Sequence, residues 1–168
     1  MHDDIEKIQE MLLRAMEAYF GSDEKRITHA KKVLQYARIL LAREQADPYV
    51  VIPAAILHDV GIKAAEEKYH SSAARWQEQE GPAIAGRILV EHDYDEASTY
   101  EICAIIAHHH TPGPQETTNF KVLYDADWLV NLADETDTTD PAKVHKAIDT
   151  IFLTAAGRQM AEKLFLKK

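Results

Sequence analysis

A chain of 168 residues, 46% hydrophobic and 28% charged, is long enough for one domain with a buried core and has ordinary soluble composition. Its formal net charge of −9 disfavours nucleic acid as a partner, because such binding draws most of its affinity from Lys and Arg neutralising phosphates. The single Cys103 excludes an internal disulfide framework, and neither a signal-peptide core nor a run approaching a spanning helix is read in the sequence, so a cytoplasmic protein without membrane contact is expected.

Met1 to Asp4 read as the entry to a first helix, whose stripe of Ile5, Ile8, Met11, Leu12, Ala15, Met16 and Tyr19 runs to a stop at Gly21. That stripe would also offer an apolar face for a homodimer. Ser22 or Asp23 caps a second helix, with Val33, Tyr36, Ala37, Leu40 and Leu41 inward until Ala46-Asp47-Pro48 breaks it. His29 lies on the same stripe and points inward. Pro48 opens a third helix that passes through Pro53 to His58-Asp59 and ends at Gly61. Residues 63 to 80 read as a loop and a short helix placed to cover a site, after which Pro82 starts a helix carrying Ile84, Ala85, Ile88 and Leu89. The next helix starts near Glu96 and carries Ile102, Ile105 and Ile106 into His108-His109-His110, before Pro112-Gly113-Pro114 ends it. Phe120 to Leu132 form another, and Asp140-Pro141 opens the last, with a break expected at Gly157. No β-alternating run competes, so the prediction is an all-α bundle of about six or more helices in a single domain over residues 1–168.

His58 and Asp59 end a run, Ala54-Ala55-Ile56-Leu57, too apolar to face solvent. Burying a carboxylate beside an imidazole is costly unless a metal or a hydrogen-bonded counter-charge compensates, so the pair is either a set of ligands or a satisfied ion pair. With an inward His29 and an Asp from the helix after Phe120, two imidazoles and two carboxylates become available. Such a set suits one divalent transition metal (Mn, Fe, Co, Ni or Zn) over Mg or Ca, and leaves positions open for water and substrate. Helical phase admits either Asp125 or Asp127 as the fourth member. His92-Asp93, at a helix end among Glu91, Tyr94 and Asp95, reads as a solvated turn. The triple histidine reads either as a helix C-terminal cap or as metal and substrate contacts.

These residues resemble the HD superfamily of metal-dependent phosphohydrolases, whose pattern is a His, a His-Asp pair roughly 30 residues later and a distant Asp on a helix. The matching elements are His29 in Thr28-His29-Ala30, the pair in Leu57-His58-Asp59-Val60-Gly61, and Tyr124-Asp125-Ala126-Asp127-Trp128-Leu129. The resemblance implies His29, His58, Asp59 and Asp127 as metal ligands, with Asp59 also orienting water. Lys63, His70, Arg75, His108 and His109 are then the candidates to meet substrate and the charge of reaction. Lys63 and His109 lead as catalytic groups, and Lys63, Arg75, His108 and His109 as substrate contacts. Members with two metals add a His where this chain has Gly81, with Glu80 adjacent, so one metal is expected and a second is left open. The implied activity is hydrolysis of a phosphoester or phosphoanhydride in a small phosphorylated substrate, a nucleotide or another metabolite. A non-hydrolytic nucleotide sensor and a di-iron oxygenase are the alternatives on this scaffold.

Overall fold

The computed structural model describes residues 2–166; Met1, where the sequence reading opens the first helix, lies outside them. Every regular element described is a helix: α1 (His2–Phe20), α2 (Glu24–Glu44), α3 (Pro48–Leu57), α4 (Gly61–Tyr69), α5 (Ala74–Glu91), α6 (Glu96–Ile106), α7 (Thr118–Glu135), α8 (Pro141–Ile151) and α9 (Ala155–Phe165). The helix starts follow from short side chains that take up otherwise unpaired backbone N–H groups. Asp23 accepts from Arg26, Asp47 from Tyr49, Asp95 from Ser98, Thr117 from Phe120 and Asp140 from Ala142.

The core is organised around α3, whose residues Val50 to Leu57 are all buried and which packs on α1, α2, α6 and α7. A helix enclosed on every side needs no polar face, which is why its sequence is apolar throughout. Pro48–Tyr69 is in fact long and apolar enough to pass for a membrane span, contrary to the sequence expectation, at 22 residues and mean hydropathy 1.2. The chain turns between α3 and α4 within it, and 78% of its most apolar window is buried inside the bundle.

Pro53 sits inside α3 and has no N–H to give the Tyr49 carbonyl one turn earlier. The Tyr94 hydroxyl, arriving from the turn after α5, donates to that carbonyl at 2.5 Å. Burial pushes the Tyr94 phenol above its usual pKa, in keeping with a hydroxyl that stays a donor. Tyr94→Phe is expected to lower stability by about 1–2 kcal/mol. For a chain of this size that is a melting-temperature drop of roughly 2–8 °C, measurable by calorimetry, and an unchanged melting temperature would refute the assignment.

Three boundaries differ from the sequence reading. The stretch expected as a loop and short helix is mostly helical: α4 begins at Gly61, and α5 begins eight residues before Pro82, which lies in its interior. Two glycines make the α4/α5 crossing close enough. A Cβ added at Gly61 would lie 2.4 Å from the Gln77 carbonyl oxygen and 2.7 Å from the Gly81 nitrogen, and one at Gly81 would lie 2.8 Å from Ile106 Cγ2. At the other end of the chain the break falls at Phe152–Thr154 rather than Gly157, dividing α8 from α9. Asp125, buried on α7, holds that break open: Oδ1 accepts from the Leu153 N–H at 2.9 Å, and Oδ2 accepts from the Thr154 N–H at 2.8 Å and its hydroxyl at 2.6 Å. Gly157 is required because a Cβ there would lie 2.2 Å from Asp125 Oδ2.

Candidate metal centre

Four segments deliver side chains to one point. His29 comes from α2, His58 from the end of α3, Asp59 from the turn before α4 and Asp127 from α7. His29 Nε2 is 3.2 Å from His58 Nε2, 3.0 Å from Asp127 Oδ1 and 3.3 Å from Asp59 Oδ2. His58 Nε2 is 3.3 Å from Asp59 Oδ2 and 3.4 Å from Asp127 Oδ1. The His58 side chain is fully buried, Asp127 and Asp59 are nearly so, and His29 is the member most open to solvent.

Backbone carbonyls determine which ring nitrogens face the cluster. His58 Nδ1 donates to the Ala55 carbonyl at 2.7 Å, and His109 Nδ1 donates to the Ile106 carbonyl at 2.8 Å. Each contact leaves Nε2 with its lone pair turned toward the carboxylates. The cluster therefore gathers two imidazole nitrogens and two carboxylate oxygens at one point, a donor set that a divalent transition metal could bridge. The same closeness shows in its acid–base balance. Burial works to lower the His58 pKa, but Asp59 and Asp127 outweigh it and hold the imidazole well above its usual value. Burial likewise works to raise both carboxyls, yet His58, with His109 at Asp59 and His29 at Asp127, holds them well below the usual carboxylate range.

His109 extends the cluster beyond Asp59. Among the described residues its Nε2 is buried with no hydrogen-bond partner, and it lies 3.5 Å from Asp59 Oδ1. Asp59 is thus shared by two groups of potential ligands, His29–His58–Asp59 and Asp59–His109–His110. His110 is oriented from α5: Gln77 Oε1 lies 2.9 Å from its Nε2, and the buried Glu78 accepts from the His110 N–H at 3.3 Å and the Thr111 hydroxyl at 2.8 Å. On α7, Asn131 donates to Asp127 Oδ1 at 2.9 Å.

The cluster forms the floor of an open cleft of about 310 Å³. His29, Asp59, Asp127 and His110 reach it, together with Lys25 and Arg26 from α2. Other residues expected at the site are placed elsewhere. The Lys63 ammonium lies 5.5 Å from the centre of the Tyr19 ring, and Arg75 stacks at 4.4 Å on Trp76, which itself stacks on Tyr69. His108 stacks on Phe120 and lies 3.1 Å from the Glu116 carboxylate. None of these three lines the cleft. Their directions depend on where α4, α5 and the turn after α6 begin, which composition did not reveal. Asp125 is engaged with Leu153 and Thr154 and stands apart from the cluster. Sequence reasoning passed over Lys25, Arg26 and Asn131; only Asn131 carried a signal, lying one helical turn after Asp127 on the same face.

An all-helical bundle with a His, His-Asp and Asp cluster at the floor of a cleft defines a class of metal-dependent fold. The HD domain family matches residues 26–149, and the chain belongs to that family. In structure it is similar to a predicted HD superfamily hydrolase from an uncultured Thermotogales bacterium, with a TM-score of 0.67 and 27% identity, over 90% of this chain and 82% of that one. No curated protein matches it significantly.

Proposed function

We propose that the chain is a phosphohydrolase that releases phosphate from a small phosphorylated metabolite, with His29, His58, Asp59 and Asp127 as ligands of one divalent transition metal. The carrying observation is the convergence of His29, His58, Asp59 and Asp127 at the floor of an open cleft, with the buried His109 Nε2 beside Asp59. A metal held there supplies a Lewis acid for a phosphoryl oxygen and makes water a better nucleophile near neutral pH. The chain's own groups do the rest. Carbonyls of Ala55 and Ile106 fix the imidazole orientations, Asn131 steadies Asp127, and Asp59, whose second oxygen faces His109, is placed to orient the attacking water. Lys25 on the cleft wall is the cationic group nearest in role to what Lys63 and Arg75 were expected to provide, and His110 is the cleft-facing member of the triple histidine.

Elemental analysis of untagged protein, with phosphate release from a panel of phosphomonoesters before and after chelation, tests this reading. About one transition metal per chain is expected, with phosphate release lost on chelation and restored by Mn, Co or Zn. Metal-replete protein that releases no phosphate from any ester would sink it. The shared Asp59 favours one further reading: Asp59, His109 and His110 are the set a second ion would use. Two irons per chain without phosphate release would point to an oxygenase instead.

A further inference from the structure

We infer that the substrate is a polyhydroxylated phosphomonoester, a sugar or polyol phosphate, rather than a nucleotide; this rests on the hydrolase reading above and deepens it. The site cleft continues into a second hollow of about 460 Å³, and the two share Lys25, His29, Asn131 and Asp134. Neither is lined by any Phe, Tyr or Trp among the described residues. The nearby aromatics are already engaged, Trp76 between Tyr69 and Arg75, and Phe120 between His108 and Tyr124. His110 lines the cleft, with its ring packed at 4.0 Å against His109 and its Nε2 held by Gln77. A nucleobase would therefore enter without a Phe, Tyr or Trp platform, whose stacking is worth roughly 5- to 150-fold in affinity per base, and would meet only the imidazoles of His29 and His110.

Charge narrows the class further. Arg26 is committed to Asp23 at 2.8 Å and to Glu66 at 2.5 Å. That leaves Lys25 and Lys32, which have no ion pair among the described residues, with Glu24, Asp134 and Glu135 also on the walls. So little free positive charge suits a single phosphate, whereas a triphosphate would place surplus negative charge against those carboxylates. Hydroxyl groups suit the same walls, since carboxylates accept from them and Thr28 and Ser72 can both give and accept. In the reaction a water oxygen bonds to phosphorus, the bond from phosphorus to the polyol oxygen breaks, and a water proton ends on the departing hydroxyl.

Ribose 5-phosphate and adenosine and uridine 5′-monophosphates form a matched set that differs only in the base. With Mn-loaded protein, kcat/KM for ribose 5-phosphate should equal or exceed that for either nucleotide, and Asp134→Asn with Glu135→Gln should lower its ratio to the p-nitrophenyl phosphate value by about fivefold or more. A nucleotide or phosphoethanolamine preferred over ribose 5-phosphate would overturn the inference while leaving the hydrolase reading standing. So would a double variant whose ratio is unchanged. Failure on every ester, p-nitrophenyl phosphate included, would instead remove the hydrolase reading beneath it.

Discussion

Asp127→Ala is expected to abolish phosphate release, by about a thousandfold or more, and to lose the bound metal, while Asp125→Ala is expected to keep both and lose stability. The two residues are separated by a single alanine but face different partners. Asp127 Oδ1 meets His29 and His58, two of the four cluster members, so its removal takes away a ligand and frees the imidazoles to reorient. Asp125 meets three donors of Leu153 and Thr154 and no cluster residue. Burial pushes its pKa up to about 6 despite those bonds, which marks how thoroughly the carboxyl is enclosed. Truncating it leaves two backbone N–H groups and a hydroxyl without their acceptor, a loss of about 3–5 kcal/mol. In a chain of this size that is a fall in melting temperature of roughly 6–20 °C. Calorimetry and metal analysis on both variants decide the matter, and the opposite pattern would exchange the two roles.

Gly61→Ala should be strongly damaging for a single added methyl group. Its Cβ would meet backbone atoms, the Gln77 carbonyl oxygen and the Gly81 nitrogen and Cα, none of which can rotate away. The α4/α5 crossing would have to open, at a cost of about 3 kcal/mol or more. Because Gly61 begins α4 only two residues after Asp59, the displacement should carry into the cluster and weaken metal binding as well. Gly81→Ala should cost less, since the atom it meets is the end of the Ile106 side chain. Equal melting temperatures for wild type and Gly61→Ala would show that the crossing has slack.

The same crossing marks where the sequence stopped being readable. Helices α1, α2, α6 and α7 announced themselves through apolar stripes, α2 also through its cap, and α3 through an apolar run opened by Pro48. Helices α4 and α5 meet through glycine backbones, so no stripe of large apolar residues records their packing, and Pro82 in the middle of α5 looked like a beginning. The cluster followed a similar division. His29, His58 and Asp59 were legible because a polar residue in an apolar run demands compensation. Choosing between Asp125 and Asp127 required knowing that residues 153 and 154 return to α7, a contact formed across 28 residues of chain. Lys63 and Arg75 lie on rings away from the cleft, because the direction of an exposed side chain depends on a helix start that composition left undefined.

His29 and Asp127, in hydrogen-bond contact, are 98 residues apart along the chain. Closing a loop of that length is an entropic cost met only once most of the bundle has formed, so the cation site cannot exist in an early folding intermediate. An ion bound there acts as a clasp applied after assembly. It should slow unfolding far more than it speeds folding, and stopped-flow chevrons with and without metal should differ mainly in their unfolding limbs.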